Sequence, residues 1–444
     1  MTSYRILGAL LLLAATGEGF LVFLRGMGTV RAVVSRLPSA IGVGIALVGT
    51  WSLLLAMAGV KATALLLAFP GILLPLAMVI RRGGKGAVPP AHPRTERSRW
   101  AFPVFIIVGA QVLFVLHSAL VRPTYAWDAW TAWSFRAKVL FLEGGFPGDF
   151  FLSHWAGSPG YPLGIPLVEA FLAHFVGFWD GPAIKILFPM IYVCTLAMTG
   201  ELLLRRSGTR GALLGLLLAA PAPLLVHHGT IAYMDLPVAF FFLASTVHIS
   251  RWEREGRGNE LLVGGLLAGF LPQIKNEGLY LYGLLSLVLL VTAFRRRASV
   301  RTALLWAAAS LPIALPWLLF KLVALPPEST TQSLQWPGFE EGARRAALFA
   351  ESVARSAFLT GNWGIAWVPL LFLLLPGRRG ALGIPGLLLT GGLLLFGAVY
   401  VFSESHVWLQ TGTTISRNLL ILFPLAVVCG ITALGFSEDA PPDR

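Results

Sequence analysis

The side chains of this chain with the clearest chemical potential are charged groups at the edges of long apolar runs. Asp128 lies in Tyr125-Ala-Trp-Asp-Ala-Trp-Thr-Ala-Trp-Ser-Phe-Arg-Ala-Lys, where Trp127, Trp130 and Trp133 surround it. Asp235 follows His227-His-Gly-Thr-Ile-Ala-Tyr-Met and opens a further apolar run. Lys275, Asn276 and Glu277 join two runs at a junction closed by Gly278, and Arg417 opens the last run, after His406. A carboxylate at a membrane surface can take the proton of an attacking nucleophile. Cations beside it can hold a phosphate and the charge that grows on it as it leaves. Acids and cations at one depth of one helix bundle are therefore the inventory for moving a group off a lipid phosphate, whose tail stays in the bilayer. Each residue also has a plainer reading. Asp128 and Asp235 are of a type favoured at helix starts. Lys275 and Glu277 can pair across a tight turn, and Arg417 can snorkel from a helix end.

The elements that must position these groups are membrane helices. Of the 444 residues, 56% are apolar and only 12% charged, and the mean hydropathy is +0.75. A soluble domain carries roughly a quarter charged residues. The net charge of +13 sits between hydrophobic runs, which reads as membrane topology and excludes nucleic acid as a partner. Cys194 and Cys429 both fall inside apolar runs, so no disulfide framework is expected. The first apolar run has no small-residue cleavage site, so no cleaved signal is expected. Gly42 and Gly44 lie within a run and do not form a phosphate-binding fingerprint.

Runs of spanning length are predicted at 6–24, 39–59, 62–80, 101–121, 183–204, 211–226, 231–250, 260–274, 277–293, 302–323, 358–376, 383–402 and 417–436. With about thirteen spans, the clusters at Arg25, Arg31 and Arg36, at Arg81 to Arg99, at Arg205 to Arg210, at Arg251 to Arg257, at Arg295 to Arg301 and at Arg378 and Arg379 share one side. The positive-inside rule makes that side cytoplasmic. Residues 161–178 are apolar enough for a span but contain Pro162, Pro166, Glu169 and His174. Counting them would invert every later basic cluster, so they read as a juxtamembrane helix on or dipping into the outer surface, with a true span, and fourteen in total, as the alternative. Trp127, Trp130 and Trp133 are expected at headgroup depth on an interfacial helix. Small-residue pairs Gly211/Gly215 and Gly265/Gly269 suit close helix packing.

The expected fold is thus an all-α polytopic transmembrane bundle. Residues 1–100 form an N-terminal three-helix membrane segment, 101–436 the core with exterior segments 122–182 and 324–357, and 437–444 a cytoplasmic tail. The chain resembles the membrane-embedded GT-C glycosyltransferases, the family 39-like group that includes protein O-mannosyltransferases and lipid A aminoarabinose transferases. The resemblance rests on Asp128 in the first large exterior loop and on the Tyr161-Pro162-Leu163 helix start. It also rests on Tyr233-x-Asp235-Leu-Pro-x-Ala-Phe-Phe, on Lys275-x-Glu277-Gly278, and on Arg417 opening a run that bears Pro424. It implies a GT-C-like fold with periplasmic juxtamembrane helices, an inverting transfer, and Asp128 as catalytic base. Lys275 and Arg417 would contact the donor phosphate, with Asp235 and Glu277 as supporting acids or, as in some relatives, metal contacts, and Arg136, Lys138, Tyr161 and His406 completing the donor-binding set. The implied partners are a polyprenyl-phosphate-linked sugar, a glycan, lipid or protein acceptor, and membrane lipids. The implied location is a cell inner membrane, with the site on the periplasmic or extracellular side. Three runs precede the one leading to the Asp128 loop, where the family begins with that run. The loop holds one Asp and not an acidic pair, which leaves a divalent metal cation open as a cofactor. His154, His227 and His228 are further candidate helpers. A transporter or flippase of lipid-linked intermediates is the rival reading, and it requires charges near the bilayer midplane. A non-catalytic scaffold is the third.

Overall fold

The computed structural model describes residues 2–26, 30–81, 98–146, 159–325, 335–375, 383–409 and 412–436. Among these the chain is helical, with no strand. Helices α1 (Thr2–Arg25) and α2 (Val30–Met57) pair with each other. A broken return follows, α3 (Ala64–Ala68), a 3-10 turn at Phe69–Ile72 and α4 (Leu73–Arg81), which lies along α1. After α5 (Ala101–Val121) come α6 (Ser134–Glu143), α7 (Gly164–Val176) and the single turn α8 (Gly181–Ile184). The remainder is α9 (Leu187–Ala219), α10 (Pro223–Thr230), α11 (Asp235–Glu255), α12 (Gly258–Ile274), α13 (Asn276–Arg295) and α14 (Arg301–Ala324). It ends with α15 (Phe339–Phe358), α16 (Gly383–Phe402) and α17 (Thr413–Ala433). Among the described residues, eight helices are long and apolar enough to cross a membrane, or nine if α10 and α11, bent by 110° at their junction, count as one span.

The core is organised around α11. Its residues from Asp235 to Trp252 are all buried, packed by α9, α12 and α17. A helix that is apolar on every side cannot face water, so it takes the centre. The helices α5 and α14 lie at the rim and expose most of their apolar surface. The N-terminal pair is not an appendage, because α1 and α2 contribute to the same core and pack on α7 and α12.

Several predicted runs take a different form in three dimensions. The runs at 183–204 and 211–226 are joined in α9, but Gly208 adopts φ 64° and ψ −172° and the chain doubles back there. The Tyr192 hydroxyl donates to the Ala220 carbonyl at 2.6 Å, across 28 residues, a contact no straight helix allows. A Cβ at Gly215 would lie 2.1 Å from the Leu203 side chain, so that glycine closes the hairpin. At the other predicted pair, a Cβ at Gly269 would lie 2.3 Å from the Ser310 carbonyl oxygen, so the small residues bring α12 onto α14.

The run at 358–376 is not one helix. Gly361 and Gly364 take positive φ, and the chain turns before a 3-10 segment, Val368–Leu374, with Pro369 at its start. Trp363 and Trp367 are buried there against Phe423 of α17. The 161–178 reading is corrected in part. Helix α7 has 13 residues, about 20 Å, too short for a hydrocarbon core. It does not lie on a surface, however, but is buried between α1, α2 and α6.

The polar ends of the bundle separate. Arg25 pairs with Glu260 at 2.7 Å, Arg205 with Glu255 at 3.1 Å, and Arg251 with Glu201, all near the carboxyl end of α11. Asp235 begins α11, sixteen residues before Arg251, or roughly 24 Å away. The basic clusters at Arg378 and Arg379 and most of the one from Arg81 to Arg99 lie outside the described residues, as does the 437–444 tail.

Candidate functional site

Four separate junctions meet at the end of the bundle opposite the basic clusters. The first is the turn after α5, where Asp128 precedes a single π turn, Ala129–Trp133, that leads into α6. Asp128 does not cap that turn with its side chain. Its carboxylate Oδ2 instead accepts from Arg417 Nη1 at 2.7 Å, and its backbone N–H donates to the Tyr233 hydroxyl at 3.2 Å. Asp235, the first residue of α11, is wholly buried. Its Oδ1 accepts from Lys275 Nζ at 2.9 Å and its Oδ2 from Arg417 Nε at 3.0 Å. His228 Nδ1 stands 3.8 Å from the same Oδ2.

Lys275 sits in extended backbone between α12 and α13 and also pairs with Glu277 Oε1 at 2.9 Å. The tightness of that reversal explains Gly278, where a Cβ would fall 2.0 Å from the Leu271 carbonyl oxygen. Arg417, one turn into α17, therefore bridges two acids that lie 289 and 182 residues away from it. Its guanidinium also rests over the Tyr233 ring, 4.8 Å from the centroid. The plain readings fail for Asp128 and Arg417, since neither a helix cap nor a snorkelling cation describes a guanidinium held between two carboxylates. The local Lys275–Glu277 pair does form, but Lys275 is shared with Asp235.

These groups border one cavity of about 720 Å³. Asp128, Lys275, Glu277 and Arg417 line it, with Trp127, Trp133 and Tyr161 on one wall and Phe396 and Tyr400 of α16 on another. Asp128 is 30% exposed and Arg417 24%, and both line the cavity. Among the described residues no group bonds to Asp128 Oδ1, which leaves that oxygen for a molecule in the cavity.

Comparison with protein-family models, with curated proteins and with solved structures finds no match.

The other predicted residues fall at different depths. Tyr161 lines the cavity and stacks on Trp133, with centroids 4.9 Å apart. Arg136 is completely buried behind it and donates to the Tyr161 carbonyl at 2.9 Å, and burial pushes its guanidinium down to about 10. It holds Tyr161 and does not reach the cavity. Lys138 is exposed on α6, on the outward side of that helix, and lines no part of the cavity. His406 bonds the Ser403 carbonyl at 3.0 Å within its own 3-10 turn, while its neighbours Ser405 and Trp408 line the cavity. Neither Lys138 nor His406 is part of the site. His154 lies outside the described residues.

Of the three tryptophans expected at headgroup depth, Trp127 and Trp130 are 68% and 50% exposed, but Trp133 is buried. The π turn rotates it inward, onto Tyr161. Ser134, at the end of that turn, donates to Glu169 Oε1 of α7 at 2.9 Å. Burial raises the Glu169 carboxyl to about 8, so it anchors the turn as the neutral acid.

Sequence reasoning missed Lys321 and Tyr400, which line the cavity together with Asn276 of the Lys275 junction. For Lys321 a signal existed, since a lone lysine in the last turn of an apolar run calls for a polar partner. Among the described residues, no group of three His, Cys, Asp or Glu side chains is placed to hold a metal. Asp128 and Asp235 converge on Arg417 and Lys275, so the donors present do not fit a divalent cation.

Proposed function

We propose that this protein is a membrane glycosyltransferase that moves a sugar from a polyprenyl-phosphate donor to an acceptor at the outer face of the membrane. The observation that carries the reading is the meeting of Asp128, Arg417, Asp235 and Lys275 beside one cavity at the ends of apolar helices. In this reading the acceptor oxygen or nitrogen attacks the anomeric carbon and gives its proton to Asp128. The bond from that carbon to the phosphate oxygen breaks, the phosphate leaves with the bonding electrons, and configuration inverts. Arg417 and Lys275 stabilise the charge that grows on the leaving group. Asp235, buried and paired on both oxygens, fixes these two cations and takes no proton itself.

The same reading makes the basic end cytoplasmic, by the positive-inside rule, and the cavity end periplasmic or extracellular in a bacterial inner membrane of about thirteen spans. All four junction charges stand at helix ends, which favours surface chemistry over passage through the midplane.

The test is turnover in lipid nanodiscs with a panel of polyprenyl-phosphate sugars, reading release of polyprenyl phosphate. Asp128→Asn should lower turnover by about 10²-fold or more while the protein inserts normally. An Asp128→Asn protein with wild-type turnover would remove the catalytic role.

A further inference from the structure

The charged cluster at the site is not suited, by itself, to receive a phosphate. Asp128, Asp235 and Glu277 are three carboxylates, and Lys275 and Arg417 are two cations, all joined by contacts of 2.7–3.0 Å. The cluster carries one net negative charge and repels an incoming anion. Lys321 offsets that charge. It lines the same cavity from α14, and among the described residues no carboxylate pairs with it. Its Nζ donates to Asn276 Oδ1 at 3.1 Å, and Asn276 is the residue between Lys275 and Glu277.

The position of Lys321 also suits an entrance. Helices α13 and α14 each pack on α12, and between themselves they are tied by side chains. Deep in the pair, Tyr282 bonds Ser310 at 2.9 Å and Trp306 donates to Ser286 at 3.0 Å. At the cavity end the tie is Lys321 to Asn276. Around it, Leu279 and Tyr280 line the cavity while remaining 39% and 40% exposed, and Leu322 and Val323 are 79% and 85% exposed. The cavity wall therefore reaches the apolar outer surface of the bundle at this point.

We infer that Lys321 is the docking cation for the phosphate of a lipid-linked molecule, whose tail stays in the bilayer beside α13 and α14 while its head enters the cavity. This rests on the transferase reading and names the residue that recruits the donor. The phosphate replaces the Asn276 side chain as partner of Lys321, and Arg417 and Lys275 stay committed to their acids until charge develops on the leaving oxygen. Lys321 contacts the ground-state donor, and Asp128 acts on the acceptor.

The experiment measures binding of undecaprenyl monophosphate, with no sugar attached, to the full-length protein by native mass spectrometry. The proteins compared are wild type, Lys321→Gln, Lys321→Arg and Asp128→Asn. Lys321→Gln should weaken binding about tenfold or more, because it removes a charge-assisted hydrogen bond. Lys321→Arg should retain it, and Asp128→Asn should bind at least as well as wild type. Millimolar inorganic phosphate should not displace the lipid. Wild-type binding by Lys321→Gln would overturn the Lys321 assignment and leave the transferase reading standing. No binding by the wild type would sink the donor reading itself, and displacement by inorganic phosphate would show a free-anion site in place of a lipid one.

Discussion

Arg417 separates the residue that holds the site together from the residue that works in it. Arg417→Ala removes one guanidinium from two carboxylates in very different surroundings. Asp235 is fully buried, so its loss of a partner leaves a charge short of compensation, a change that costs about 3–5 kcal/mol in comparable buried pairs. Lys275 still holds Asp235 Oδ1, which places the expected cost at the low end, about 3 kcal/mol. Asp128 is 30% exposed to the cavity and its pairing is worth less, about 1 kcal/mol. A double-mutant cycle distinguishes the two. Adding Asp235→Asn to Arg417→Ala should restore most of the lost stability, because the unpaired buried charge disappears. Adding Asp128→Asn should restore little. Unfolding in mixed micelles, followed by tryptophan fluorescence, supplies the four free energies of each cycle. Equal recovery by the two second substitutions, or no loss in Arg417→Ala, would refute the assignment of Asp235 as the structural anchor.

Two further outcomes follow from local geometry. Gly278→Ala puts a Cβ about 2.0 Å from the Leu271 carbonyl oxygen. The Lys275 turn must then shift, and both thermal stability and lipid-phosphate binding should fall in the same protein. Glu169 sets a pH dependence, since its folded value of about 8 lies above the ordinary 4.5. The fold binds that proton more tightly than the unfolded chain does. Its contribution is complete below about 4.5 and is lost as pH rises through about 8. Glu169→Gln keeps the hydrogen bond with Ser134 and should flatten this slope in thermal unfolding scans from pH 5 to 9. An unchanged slope would show that Glu169 is ionised in the fold.

Much of the bundle was legible in the sequence, because hydropathy is a sum over neighbours along the chain and spanning length follows from it. The predicted runs at 101–121, 277–293, 302–323 and 383–402 agree with α5, α13, α14 and α16 to within a few residues. Asp128, Asp235, Lys275 and Arg417 were also visible, since a charge at the end of an apolar run stands out against its surroundings. What the local pattern could not carry was direction. The turn at Trp133, the burial of α7 and the break between Gly361 and Pro369 depend on packing partners elsewhere in the chain. Lys138 and Arg136 are two residues apart, yet one is exposed and the other wholly buried, because a helix face acquires meaning only against a neighbour.

By itself, then, the order of residues determined that this is a multi-pass helical membrane protein and which ionic groups stand at the helix ends. Only the tertiary structure decided that Arg417 lies between Asp128 and Asp235, and that Lys321 lines the same cavity with Asn276 as its partner. The physical reason is range: hydrophobic periodicity acts over one or two helical turns, whereas the Arg417 pairings close over 182 and 289 residues and exist only once the bundle has packed.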